Sequence, residues 1–142
     1  MHLTRQTDFA LRTMIYLASR PAGALVSVRE ICEQFGLSAN HLSKIVNKLA
    51  NEGFILSRRG RGGGISLGRP AEDIGVGELV RLMEPLNDLV DCTTPRCILL
   101  PGCQFKGILA EASQAFIAVF DQYTLADLVD SETQKLIWHD AS

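Results

Sequence analysis

Three cysteines, Cys92, Cys97 and Cys103, fall within one short segment, Asp91-Cys92-Thr93-Thr94-Pro95-Arg96-Cys97-Ile98-Leu99-Leu100-Pro101-Gly102-Cys103. Two prolines forbid a regular helix there and Pro101-Gly102 favours a turn, so the segment is expected to fold back and point its sulfurs at one metal-containing cofactor. The C-x4-C-x5-C spacing is wider than the C-x2-C of zinc fingers and ribbons, which makes zinc the second choice. An iron–sulfur cluster, a bulkier group whose thiolates surround several metal atoms, is the first. Spacing alone leaves [2Fe–2S] and [4Fe–4S] both open. A four-iron cluster normally takes four ligands, so one position is unaccounted for. Cys32, between Ile31 and Glu33 on a predicted helix, reads as an ordinary buried cysteine. Asp8 reads by pattern alone as a surface acid, although a carboxylate on iron would be held more weakly than a thiolate and leave that iron open to exchange.

Those residues sit in a chain of 142, enough for one ordinary domain or a small domain with an oligomerising arm, and too short for two large ones. With 46% hydrophobic and 21% charged residues it has the composition of a soluble globular protein. No apolar run approaches the roughly 18 to 20 residues of a spanning helix, and Met1-His2-Leu3-Thr4-Arg5 opens an amphipathic pattern instead of a signal peptide. A cytoplasmic protein without membrane association is expected, its thiols reduced and suited to metal binding or redox chemistry. The net charge of −2 hides an asymmetry. Residues 1–70 carry ten Lys/Arg against four acids, net +6, whereas residues 71–142 carry four against twelve, net −8. The first half suits a polyanion and the second should avoid one.

The elements that position these charges follow from periodicity. Leu3, Ala10, Leu11, Met14, Leu17 and Ala18 recur at helical spacing, predicting a first helix ended by Pro21-Ala22-Gly23. Ser27-Val28-Arg29-Glu30 matches a capping box, with Ser27 bonding forward, Glu30 reaching back to the cap amide, and Val26 and Ile31 placed for a hydrophobic staple. A second helix over Val28 to Phe35 stops at Gly36, and Ser38 is expected to cap a third through Asn51 with Leu42, Ile45, Val46 and Leu49 inward. Helix, glycine turn, helix over about 27–51 is a helix-turn-helix.

The outer face of the third helix offers Ser38, Asn40, His41, Ser43, Lys44, Asn47 and Lys48, side chains suited to phosphates and base edges with no acid among them. Two strand-like pieces within about 54–67 flank Arg58-Arg59-Gly60-Arg61-Gly62-Gly63-Gly64, a hairpin whose glycines permit close backbone approach. Arg58, Arg59, Arg61, Gly62 and Gly63 of this wing are the second candidate DNA contact, through phosphates or a minor groove. Two basic elements in succession make double-stranded DNA the expected partner.

A boundary is expected at Arg69-Pro70, followed by a linker helix over Val76 to Met83, a cofactor loop over 86–103, and a long helix over about 104–122. Ile108, Leu109, Ala112, Ala115, Phe116, Val119 and Phe120 give that helix an apolar stripe of about five turns, which a second copy would cover in a two-fold homodimer. Thr124-Leu125-Ala126-Asp127 reads as another cap, and residues 131–142 carry no clear signal. The predicted class is mainly α with a small β-hairpin wing. An enzyme is not expected, because there is no C-x-x-C, no P-loop ending in Lys-Ser/Thr and no assembled Ser/His/Asp set.

Four segments together resemble the winged-helix iron–sulfur transcription regulators over nearly the whole chain. They are Leu3-Thr4-x-x-Thr7-Asp8-Phe9-Ala10-Leu11-Arg12, Asn40-His41-Leu42-x-Lys44-Ile45-Val46, Arg59-Gly60-Arg61-Gly62-Gly63-Gly64-Ile65, and the three-cysteine loop. The segments 86–103 and 121–128 are most similar to the nitric-oxide-sensing repressors of that family. Other members place a histidine ligand three residues past the last cysteine, where this chain has Lys106. The resemblance implies a [4Fe–4S] cluster on Cys92, Cys97 and Cys103, with Asp8 of the other subunit as fourth ligand. It further implies that the cluster-bound dimer represses at an operator, and that nitric oxide attacks the irons, displaces Asp8 first and releases the DNA.

Overall fold

The structure, a computed structural model, describes residues 2–86 and 89–139. Six α-helices and one hairpin follow in the order α1 (Arg5–Ala18), α2 (Val28–Phe35), α3 (Ala39–Asn51), β1 (Ile55–Arg58), β2 (Gly64–Leu67), α4 (Val76–Met83), α5 (Gln104–Phe120) and α6 (Ser131–His139), with short 3-10 turns at Ala71–Asp73, Leu100–Gly102 and Leu125–Leu128. This is the expected mainly helical chain with a two-stranded antiparallel wing.

Thr4 caps α1, its hydroxyl accepting from the Thr7 amide, so the helix begins at Arg5 and not at Leu3. Ser27 caps α2 by accepting from the Glu30 amide at 3.0 Å. The other half of the expected capping box is absent, because Glu30 Oε1 accepts instead from the Tyr16 hydroxyl at 2.7 Å and from Arg20. Charge assistance from the arginine makes that the stronger use of the carboxylate. Gly36 ends α2 in the left-handed region, φ 63°, where glycine avoids the Cβ penalty. Ser38 stands at the start of α3 in extended conformation without a side-chain cap bond, contrary to expectation. β1 and β2 pair from Ile55 with Leu67 to Arg58 with Gly64. Val26 adds an antiparallel bridge to Ile65, which ties the wing to the chain entering α2.

One core joins these elements. Ala10, Met14 and Leu17 of α1 meet Leu42, Ile45, Val46 and Leu49 of α3, with Ile31, Ile55, Ile65, Ile74, Leu79, Met83, Leu125 and Ile137 in the same cluster. A second, smaller cluster holds Val76, Val80 and Ile117, with Phe116 and Phe120 packed against it. Most of α5 stays outside both. Ile117 is its one buried residue, and Phe105, Ile108 and Val119 are 59%, 60% and 54% exposed. No helix among the described residues is long and apolar enough to cross a membrane.

Candidate nucleic-acid interface and cysteine loop

Helix α3 turns four apolar residues inward, and the 3.6-residue repeat then forces the intervening side chains outward. Ser38, Asn40, His41, Ser43, Lys44, Asn47 and Lys48 are all exposed. The wing presents Arg58, Arg59 and Arg61 exposed on and beyond β1. Its tip is a turn closed by the Gly63 amide on the Gly60 carbonyl at 3.0 Å, with Gly60 and Gly62 at φ 97° and 73°. A Cβ at Gly63 would overlap the Arg58 carbonyl. The glycine run is therefore the condition for folding three arginines back on themselves.

Sequence reasoning missed what buttresses α2 from behind. Helix α6 lays Trp138 against Tyr16, ring centroids 5.6 Å apart, and Arg20 lies over the Trp138 ring at 4.2 Å and the Tyr16 ring at 5.7 Å. Gln34 of α2 donates to the Ile137 carbonyl at 3.3 Å. Burial, with the Glu30 carboxylate beside it, pushes the Tyr16 hydroxyl up to about 12. The only tryptophan of the chain, placed next to Ile137, was the available signal.

The cysteine loop links α4 to α5. Asp91 organises its entrance, one carboxylate oxygen accepting from the Thr93 amide at 2.7 Å, the Thr93 hydroxyl at 2.6 Å and the Thr94 amide at 3.2 Å. These bonds hold the Asp91 carboxyl below the usual carboxylate range. The Cys97 amide donates to the Cys92 carbonyl at 3.0 Å, and Cys103 is the residue from which α5 starts. All three cysteines are free thiols and half-buried. Cys32, also free, lies on α2, and burial, helped by the Glu33 charge, pushes its thiol up.

Asp8 sits in the first turn of α1, paired with Arg12 at 2.9 Å and 45% exposed. Glu84, at the end of α4, fixes the same turn by accepting from the Thr4 amide at 2.6 Å and the Thr7 hydroxyl at 2.5 Å. Among the described residues no three His, Cys, Asp or Glu side chains are gathered closely enough to hold a metal ion. The donor set on the loop, three free thiols, fits a thiolate-bound group in its chemistry. The described residues of one chain do not close a site around it.

Residues 3–131 match the Rrf2 family, described as "Iron-dependent Transcriptional regulator". The chain is similar to Staphylococcus aureus CymR, with 31% identity over 89% of this chain and 97% of that one and a TM-score of 0.72. The oxidized form of the same S. aureus protein matches at 30% identity over 92% and 97%, TM-score 0.73. IscR of T. potens matches at 26% over 90% and 85%, TM-score 0.70. Regulators of this family bind DNA and are typically dimers. With a family match spanning nearly every element described above, the chain belongs to the Rrf2 transcriptional regulators.

Proposed function

We propose that this regulator is an NsrR-type repressor: a homodimer that holds a [4Fe–4S] cluster on Cys92, Cys97 and Cys103, binds operator DNA in that form, and releases it in response to nitric oxide. The observation that carries the reading is the three free, half-buried thiols on one irregular loop, with Lys106 where a histidine ligand would stand. Bound there, the cluster would supply iron open to a small diatomic ligand.

The chain's own residues divide the remaining work. Asp91 shapes the turn that delivers Cys92, and Cys103 ties the loop to α5. The exposed Phe105, Ile108 and Val119 of α5 are the surface for the second copy, since such a stripe needs an apolar cover. Asp8 is the proposed fourth ligand, given by each α1 to the loop of the other subunit, and Glu84 positions that helix turn. Exposed α3 and the wing supply base-edge and phosphate contacts.

Cys97→Ala should abolish the cluster's visible absorption and specific DNA binding together, while Lys44→Ala should weaken DNA binding and leave the absorption intact. Tight operator binding by Cys97→Ala would remove cluster-dependent repression from the account. A thiol-redox signal is the second reading, motivated by the similarity to a CymR solved in an oxidized form. It predicts a colourless protein whose DNA binding responds to peroxide and recovers with dithiol.

A further inference from the structure

Helix α3 carries two exposed stripes. Asn40, Ser43 and Asn47 follow one another at helical spacing, and so do His41, Lys44 and Lys48, about a quarter turn away around the helix. The neutral stripe is made of side chains that read base edges. The second stripe, with its two lysines, lines a cavity of about 570 Å³ between α3 and the first turn of α1, and Arg5 and Gln6 close its other side.

The lining of this cavity is mixed, with an apolar part on the side of α1 and the turn before α3. Phe9, Leu37, Ile45 and Met83 line it, and no aspartate or glutamate does. Arg5, Lys44 and Lys48 form no ion pair among the described residues. At one end the turn Gly36-Leu37-Ser38 leads into α3, and without a cap bond from Ser38 the helix's first amides lack that partner. Such amides, at the positive end of the helix dipole, attract an anion.

Phosphate contacts account for the cations and not for the apolar lining. A phosphodiester chain is polar and lies along a surface, whereas this cleft offers an anion site above a hydrophobic recess within the size range of small-molecule pockets. We propose that the cleft binds an organic anion with an apolar body, of the class of medium-chain or aromatic carboxylates. Its carboxylate is held by Arg5, Lys44 and the α3 N-terminus, and its apolar end lies on the half-buried Phe9 and Leu37. The ligand and DNA share His41, Lys44 and Lys48, so occupancy and DNA binding exclude one another. Arg5, Gln6 and Phe9 flank Asp8 on the first turn of α1, but none of the cleft residues is a proposed cluster ligand. Failure of this proposal and failure of the cluster reading are therefore told apart by octanoate binding on the one hand and cluster absorption on the other.

The test uses full-length protein purified without oxygen, with octanoate as the probe and octan-1-ol as its uncharged counterpart. Amide NMR spectra should show octanoate shifting Gly36, Leu37, Ser38 and His41, and labelled DNA should be displaced over the same concentration range. Octan-1-ol should bind at least about tenfold more weakly, as should octanoate to Arg5→Ala, each having lost a charge-assisted contact. Equal binding of the alcohol, or unmoved amides at about 10 mM octanoate, the weak limit for a specific small ligand, would overturn the proposal. So would movement of the same amides on dilution of dimer to monomer without any response to octanoate, which would assign the cleft to a second copy.

Discussion

Arg81 on α4 and Asp121 at the end of α5 form a two-pronged ion pair, with nitrogen–oxygen distances of 2.6 and 2.5 Å, across the face of Gly77. Helix α5 begins at the last cysteine of the loop, and α4 holds the first turn of α1 through Glu84. The pair is therefore a direct link between the cysteine loop's helix and the DNA-binding elements. A Cβ at Gly77 would overlap the Asp121 carboxylate.

That overlap makes Gly77→Ala depend on its background. In the wild type the substitution should lower the denaturation midpoint by displacing Asp121. With Asp121→Ala also present, the same change should stabilise by about 1 kcal/mol, the ordinary helix-propensity gain of alanine over glycine. A double-mutant cycle in urea reads the sign reversal; the same sign in both backgrounds would contradict the packing described.

Tyr16 should give the chain an alkaline weakness. Its folded pKa is raised to about 12 from an ordinary 10.0, so the folded state holds the phenolic proton more tightly. That stability is complete below pH 10 and is lost as the pH climbs through about 12. Tyr16→Phe should cost about 1 kcal/mol at neutral pH through the lost Glu30 bond and should flatten the alkaline decline. Urea midpoints measured on both sides of pH 10 check this.

Trp138 should act as both anchor and reporter of α6. Trp138→Ala should cost roughly 2 kcal/mol, from the aromatic pair with Tyr16 and the cation–π contact of Arg20, and Trp138→Phe appreciably less. As the only tryptophan, it makes its own fluorescence a measure of whether α6 is docked. A fluorescence transition at lower urea than the circular dichroism transition would show α6 leaving first.

On DNA the two kinds of contact should separate. Asn47→Ala should reduce discrimination between operator and unrelated DNA by about 1 to 3 kcal/mol and leave the salt dependence alone. Arg59→Ala should weaken both DNAs alike and reduce the salt slope by about 0.9. Gly63→Ala, which forces the wing tip open against the Arg58 carbonyl, should resemble removal of several arginines at once.

The amino-acid pattern revealed most of what is local. The spans of α2 and α4, the α3 apolar face and the hairpin were legible because periodicity, caps and glycines act within a few residues. Glu30 was misassigned because its choice between the cap amide and Arg20 depends on how α1 and α2 pack. Helix α6 escaped notice because Ile137 and Trp138 make sense only against Tyr16 and Gln34, far away in sequence. The cysteines were legible as a group, and the fourth ligand proposed for them was not legible from pattern, since Asp8 lies on α1 paired with Arg12. Spacing along a chain cannot specify a ligand from another element, still less from another copy.

The central claim is that the loop carries a cluster on which DNA binding depends. Protein purified without oxygen should be assayed for absorption, iron and sulfide, then titrated with nitric oxide while operator binding is followed in the same samples. The account predicts a brown protein with about four irons and four sulfides per chain, losing its absorption and its operator binding together. A colourless protein containing zinc, or operator binding that survives loss of the cluster, would contradict it.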